Sequence, residues 1–89
     1  MTFREFCESI GDGVLSCVPG AKYQSPGGVR EPGSVSLGGA KATITREQAG
    51  WCVSFSRAGG TVAHSPMFGK AMDDATAGKV AGTIAGFLI

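Results

Sequence analysis

Between Ser34 and Ser56 the chain alternates apolar residues with polar ones, mostly serine and threonine, and glycines fall where that alternation has to turn back on itself. The pattern admits few folds, because a slip of one residue in a β-pairing carries every apolar side chain to the opposite face. Gly38-Gly39 reads as a two-residue hairpin turn, which sets Leu37 opposite Ala40 and Val35 opposite Ala42. Gln48-Ala49 reads as the next tip with Gly50 at a positive φ, so that Arg46 faces Trp51, Ile44 faces Val53 and Ala42 faces Phe55. A third turn in Ala58-Gly59-Gly60 sets Phe55 opposite Val62 and Val53 opposite His64. One face then collects Val35, Leu37, Ala42, Ile44, Trp51, Val53, Phe55 and Val62. The other collects Ser34, Ser36, Lys41, Thr43, Thr45, Cys52, Ser54, Ser56 and Thr61. An antiparallel sheet with one dry face needs a cover on that side only.

Two helices are placed to supply the cover. Thr2 followed by Glu5 forms a capping-box pattern, and Phe3, Phe6, Cys7, Ile10, Val14 and Cys17 recur at spacings of three and four. A helix is expected over 2–17, weakened in its second half by Gly11 and Gly13 and stopped by Pro19-Gly20. Asp73-Asp74 suits a helix N-terminus, and Ala77, Val80, Ala81, Ile84, Ala85, Phe87 and Leu88 form one broad apolar arc of a helix over 73–88. The expected fold class is α+β: an N-terminal helix, an antiparallel meander of three to four strands and a C-terminal helix, both helices on one face. Strands are expected at 34–37, 40–47, 51–57 and 61–65, with Met67–Ala71 as a connector. The expected core is Phe3, Phe6, Ile10, Val14, Ile44, Trp51, Val53, Phe55, Val62, Val80, Ile84 and Phe87.

A chain of 89 residues has room for one core, so a single domain over 1–89 is expected. With 43% hydrophobic and 17% charged residues it is apolar enough to pack rather than stay disordered. The net charge is +1 with no charge blocks, which argues against recognition of nucleic acid or an anionic membrane by bulk electrostatics. The N-terminal residues lack a signal-peptide pattern and no stretch has the length of a membrane span, so a cytoplasmic protein without membrane contact is expected. Cys7, Cys17 and Cys52 are odd in number and none is in C-x-x-C spacing, which fits neither a disulfide framework nor, with the single His64, a metal site. Gly69-Lys70 is followed by Ala71 and is no phosphate-binding loop. No cofactor is expected.

Three features compete for a functional role. The stretch 19–33 is rich in proline and glycine, reads as a long loop, and carries Lys22, Tyr23, Arg30 and Glu31, residue types that anchor interfaces. The rival reading is a passive connector with Tyr23 folded onto the core. Gly78, Gly82 and Gly86 form a row along the C-terminal helix, and three interior glycines cost roughly 2–3 kcal/mol relative to alanine. Close packing should offset that cost, either against the first helix or Trp51 within the chain, or against a second chain that also meets Phe87, Leu88 and Ile89 in a homodimer. Cys52, His64 and Asp73 or Asp74 hold the residue types of a small thiol enzyme, but the expected register points Cys52 to the wet face and His64 to the dry one.

The order helix, meander, helix resembles that of double-stranded-RNA-binding domains. The resemblance covers element order only, and where such domains carry lysines at the start of the second helix this chain has Asp73-Asp74. A nucleic-acid-binding alternative would rest on Lys22, Arg30, Lys41 and Arg46. The leading expectation is a small non-catalytic binding protein that meets a larger protein partner through the 19–33 loop, the hydroxyl-rich sheet face or the glycine row. An accessory or inhibitory protein of a phage or mobile element, occluding a surface of its partner, would fit this size and composition.

Overall fold

The computed structural model describes residues 1–28, 31–59 and 64–89. Its elements follow the order α1 (Phe3–Cys17), β1 (Lys22–Gln24), β2 (Gly33–Leu37), β3 (Ala40–Glu47), β4 (Gly50–Arg57), β5 (Met67–Gly69) and α2 (Asp74–Leu88). The strands form one antiparallel sheet in the order β1-β2-β3-β4-β5. The α+β architecture read from the sequence is therefore present, with two more strands than the meander of 34–57.

The two central hairpins keep the expected register. Leu37 pairs with Ala40 and Val35 with Ala42 across β2 and β3, while Ala42 pairs with Phe55, Ile44 with Val53 and Arg46 with Trp51 across β3 and β4. Gly50 has φ +154, and a Cβ there would overlap the Gly69 carbonyl oxygen, so the tip requires glycine on two grounds.

The pairing of Val53 with His64, expected for a strand at 61–65, is corrected. Residues 60–63, including Val62, lie outside those described, and Ser65 belongs to no strand. Val53 pairs with Met67 instead of His64, Cys52 with Phe68 and Trp51 with Gly69, so the expected connector 67–71 contains the edge strand. Two local facts favour this register. Pro66 has no N–H to give to a ladder, so pairing begins after it. The Trp51 indole lies over Gly69, where any side chain would strike it, and its Nε1–H donates to the Ala71 carbonyl at 2.8 Å.

The loop expected at 19–33 is corrected in part. Lys22, Tyr23 and Gln24 pair with Ser36, Val35 and Ser34 as the opposite edge strand. Tyr23 points to the helix side, where its ring covers Gly11; a Cβ at Gly11 would lie 2.6 Å from the ring. Glycine in mid-helix is here the condition for β1 to dock.

Both helices cover the same face of the sheet. The capping box forms: Glu5 N–H donates to the Thr2 hydroxyl at 3.1 Å, and Thr2 N–H donates to the Glu5 carboxylate at 2.8 Å. Asp73 caps α2 by accepting from Thr76 N–H at 2.7 Å. Phe6, Ile10 and Val14 of α1, Val80 and Ile84 of α2, and Val35, Ala42, Ile44 and Val53 of the sheet are fully or almost fully buried in one core. The remaining expected core residues among those described, Phe3, Trp51, Phe55 and Phe87, are buried with them. Phe6 and Trp51 meet at a tilt of 39° with ring centroids 5.5 Å apart, and Phe55 meets Phe87 edge-on at 5.0 Å.

The close approach of the helices uses Gly13 of α1, where a Cβ would lie 2.9 Å from that of Ala81. The expected packing of α1 or Trp51 against Gly78, Gly82 and Gly86 is therefore corrected: all three are exposed, and a Cβ on any of them meets nothing within 4 Å. Because the apolar arc of α2 already faces the core, the glycines beside that arc fall on the solvent side.

Candidate interaction surface

The helices leave the other face of the sheet uncovered, and its side chains form a grid. Cross-strand pairing puts Lys22, Ser36, Lys41 and Ser56 in one row, Gln24, Ser34, Thr43 and Ser54 in the next, and Thr45, Cys52 and Phe68 in a third. The face is hydroxyl-rich as expected from the alternation, with Ser54, Ser56 and Lys41 exposed and Ser34, Ser36, Thr43 and Thr45 half-buried. Cys52 departs from its neighbours. Placed between Thr45 and Phe68, it is only 7% exposed although it lies on the solvent side. Phe68, in the middle of the β5 edge strand, is 73% exposed. A phenylalanine left this open beside a face of serines and threonines keeps most of its apolar surface in water in the folded chain.

At the opposite edge a shallow concavity of about 390 Å³ is lined by Lys22, Tyr23, Gln24, Ser34, Ser36 and Lys41. A second, of about 310 Å³, lies on the helix side of the sheet, where Thr2, Phe3 and Arg4 of α1 meet Pro26, Gly27, Gly28 and Arg46. Arg4 is engaged with Glu8 at 3.4 Å.

The structure separates the residues singled out from the loop. Lys22 is exposed on the uncovered face. Tyr23 is half-buried beneath α1, and burial pushes its phenol above the ordinary value. The nearby Ser25 hydroxyl offsets part of that shift, but the two hydroxyls are buried without reaching hydrogen-bonding geometry. Glu31 is exposed with its carboxylate turned against Gly27. Arg30 lies outside the described residues. Of the four cations in the nucleic-acid reading, Lys22 and Lys41 share a row, whereas Arg46 leaves the sheet on the helix side.

The thiol, imidazole and carboxylate are not brought together. Cys52 belongs to the uncovered face, while the His64 ring packs against Phe55 at 4.8 Å and Phe87 at 5.9 Å on the helix side. Asp73 is committed to its cap, where the Thr76 N–H holds its carboxyl below the usual range. Cys7 is fully buried beside Gly33, and burial pushes its thiol up to about 12, the neighbouring Glu8 adding to the shift and the Gly33 backbone opposing it. Among the described residues no three of His, Cys, Asp and Glu gather as a metal-holding group, and no helix is long and apolar enough to cross a membrane.

At the end of the glycine row, Phe87 and Leu88 are buried and Ile89 is 83% exposed. Phe68 was missed in the sequence because Met67–Gly69 is too short to show alternation; its signal was the one aromatic residue in the connector 67–71. Comparisons with protein-family models, with curated proteins and with solved structures return no match.

Proposed function

We propose that this is a small non-catalytic binding protein that works through protein–protein contact, with the uncovered sheet face as its partner surface. The observation that carries the reading is Phe68, 73% exposed on that face at its β5 edge. An open aromatic side chain beside Cys52, with Glu47 and Lys70 nearby and a hydroxyl-rich face beyond, is the arrangement of an interface anchor with a polar surround, since its burial by a partner recovers apolar area that folding left in water. Bound in this way, a compact chain would occlude a matching surface of a larger protein, which is an accessory or inhibitory mode of action. A cytoplasmic setting belongs to the same reading, supported by three cysteines that lie apart as free thiols.

The test is affinity capture from the source cell with wild type, Phe68→Ser and, as a control, Leu15→Ser on α1, another exposed apolar side chain. Both variants should melt like wild type, because neither residue is buried. The Phe68 variant should lose the partner that wild type and the Leu15 variant retain. Retention of the same partner by Phe68→Ser would remove the basis of the reading.

A further inference from the structure

The partner surface has an electrostatic end as well as an aromatic one. Lys22 of β1 and Lys41 of β3 each pair with Ser36 of β2, so three consecutive strands present Lys, Ser and Lys in one row. Strands in a sheet lie about 4.8 Å apart, which puts the two lysine backbones roughly 10 Å from each other with the Ser36 hydroxyl between. Lysine carries its charge on a flexible four-carbon stem, so both ammonium groups can converge over Ser36. Gln24 and Ser34 add an amide and a second hydroxyl to the same concavity, and none of its lining residues is acidic. Neither lysine has a carboxylate within ion-pair distance among the described residues, where the one ion pair joins Arg4 and Glu8 on α1. Glu47 is on the same face of β3, six residues beyond Lys41, which is roughly 20 Å along the strand.

We infer that the Lys22–Ser36–Lys41 row receives an acidic side chain from the protein partner, an aspartate or glutamate on a segment lying across β1 to β3. The inference rests on the reading of the uncovered face as the partner surface. Two converging ammonium groups and a hydroxyl supply donors to both carboxylate oxygens, and charge-assisted hydrogen bonds of this kind are the stronger ones. Nucleic acid fits less well. Affinity for a duplex comes from neutralising a run of phosphates, whereas this face offers two cations in one row and Arg46 emerges on the far side of the sheet.

The probe is a capped hexapeptide alternating glutamate and threonine, with glutamine replacing glutamate in a control and lysine replacing it in a second. The readout is backbone amide shifts and the Kd they yield. The glutamate peptide should shift Lys22, Ser36 and Lys41 and bind at least tenfold tighter than the glutamine peptide. Its affinity should fall several-fold between low and moderate salt. The double variant Lys22→Glu with Lys41→Glu, both at exposed positions, should keep the wild-type melting temperature, lose the glutamate peptide by at least tenfold and gain the lysine peptide. The inference is overturned if the glutamate peptide leaves those amides unmoved at millimolar concentration, if the charge-reversed protein binds it as wild type does, or if duplex RNA or DNA binds the row more tightly than the peptide. The Phe68 capture experiment keeps the two readings apart. Loss of the native partner by Phe68→Ser, with retention by the charge-reversed protein, removes the acidic contact and leaves the partner face standing; retention by both removes both.

Discussion

The Arg57 guanidinium donates to the Phe87 carbonyl at 2.8 Å and lies 4.5 Å above the centre of the Phe87 ring. Arg57 ends β4, and Phe87 is in the last turn of α2, a turn with no basic residue of its own. The sheet therefore lends the helix the positive charge that its C-terminal carbonyls attract.

Arg57→Ala removes the hydrogen bond, the cation–π contact and the charge at the helix end together. Because Arg57 is exposed, the expected cost is modest, about 1–2 kcal/mol. Arg57→Lys should recover part of it, since an ammonium keeps the charge but loses the planar stacking. Urea denaturation of the three proteins checks the order, and equal midpoints for wild type and Arg57→Ala would show the contact to be energetically idle.

Glycines on the two helices should respond to alanine with opposite signs. At Gly82 a methyl group meets nothing within 4 Å, so Gly82→Ala should stabilise by up to ~1 kcal/mol through backbone entropy. At Gly11 a Cβ would lie 2.6 Å from the Tyr23 ring, so Gly11→Ala must displace β1 and should destabilise by about 1–3 kcal/mol. Denaturant midpoints at two protein concentrations check both. A loss of stability for Gly82→Ala that depends on concentration would instead place the glycine row against a second copy of the chain.

Acid should loosen both helix starts. Thr2 holds the Glu5 carboxyl below its ordinary value, and Thr76 does the same for Asp73, in each case chiefly through the backbone N–H that the carboxylate accepts. With the folded value lower than the unfolded one, the unfolded chain binds more protons in acid. The stabilising contribution is complete above the ordinary carboxylate range near pH 4 and is lost as the pH falls through the lowered folded value. Melting temperatures measured between pH 6 and pH 2 should fall less steeply for Asp73→Asn than for wild type, because asparagine caps without titrating. Parallel curves would show that the Asp73 cap does not couple to protonation.

Which features were legible in the sequence follows from the range of the interactions that create them. The capping box of α1, the Asp73 cap of α2, the apolar stripes of both helices and the register of β2, β3 and β4 all depend on residues close in sequence. Alternation about Gly38-Gly39 and Gln48-Ala49 was enough to pair Val35 with Ala42 and Ile44 with Val53. The two edge strands depended on distant partners. Lys22–Gln24 becomes a strand because Tyr23 finds Gly11 on α1, and Met67–Gly69 because Gly69 fits under the Trp51 indole. Three residues are too few to carry a periodicity, so neither strand announced itself.

The sequence by itself determined a one-sided sheet with two helices to cover it, since alternation, capping and helical periodicity are local and each tolerates only one phase. Tertiary structure alone decided what remains outside: that Phe68 stands open on the sheet, that Lys22 and Lys41 flank Ser36, and that Gly78, Gly82 and Gly86 face solvent while Gly11 and Gly13 make the close contacts. Exposure is a property of the whole packing, because a side chain is left in water only once every other element has taken its place.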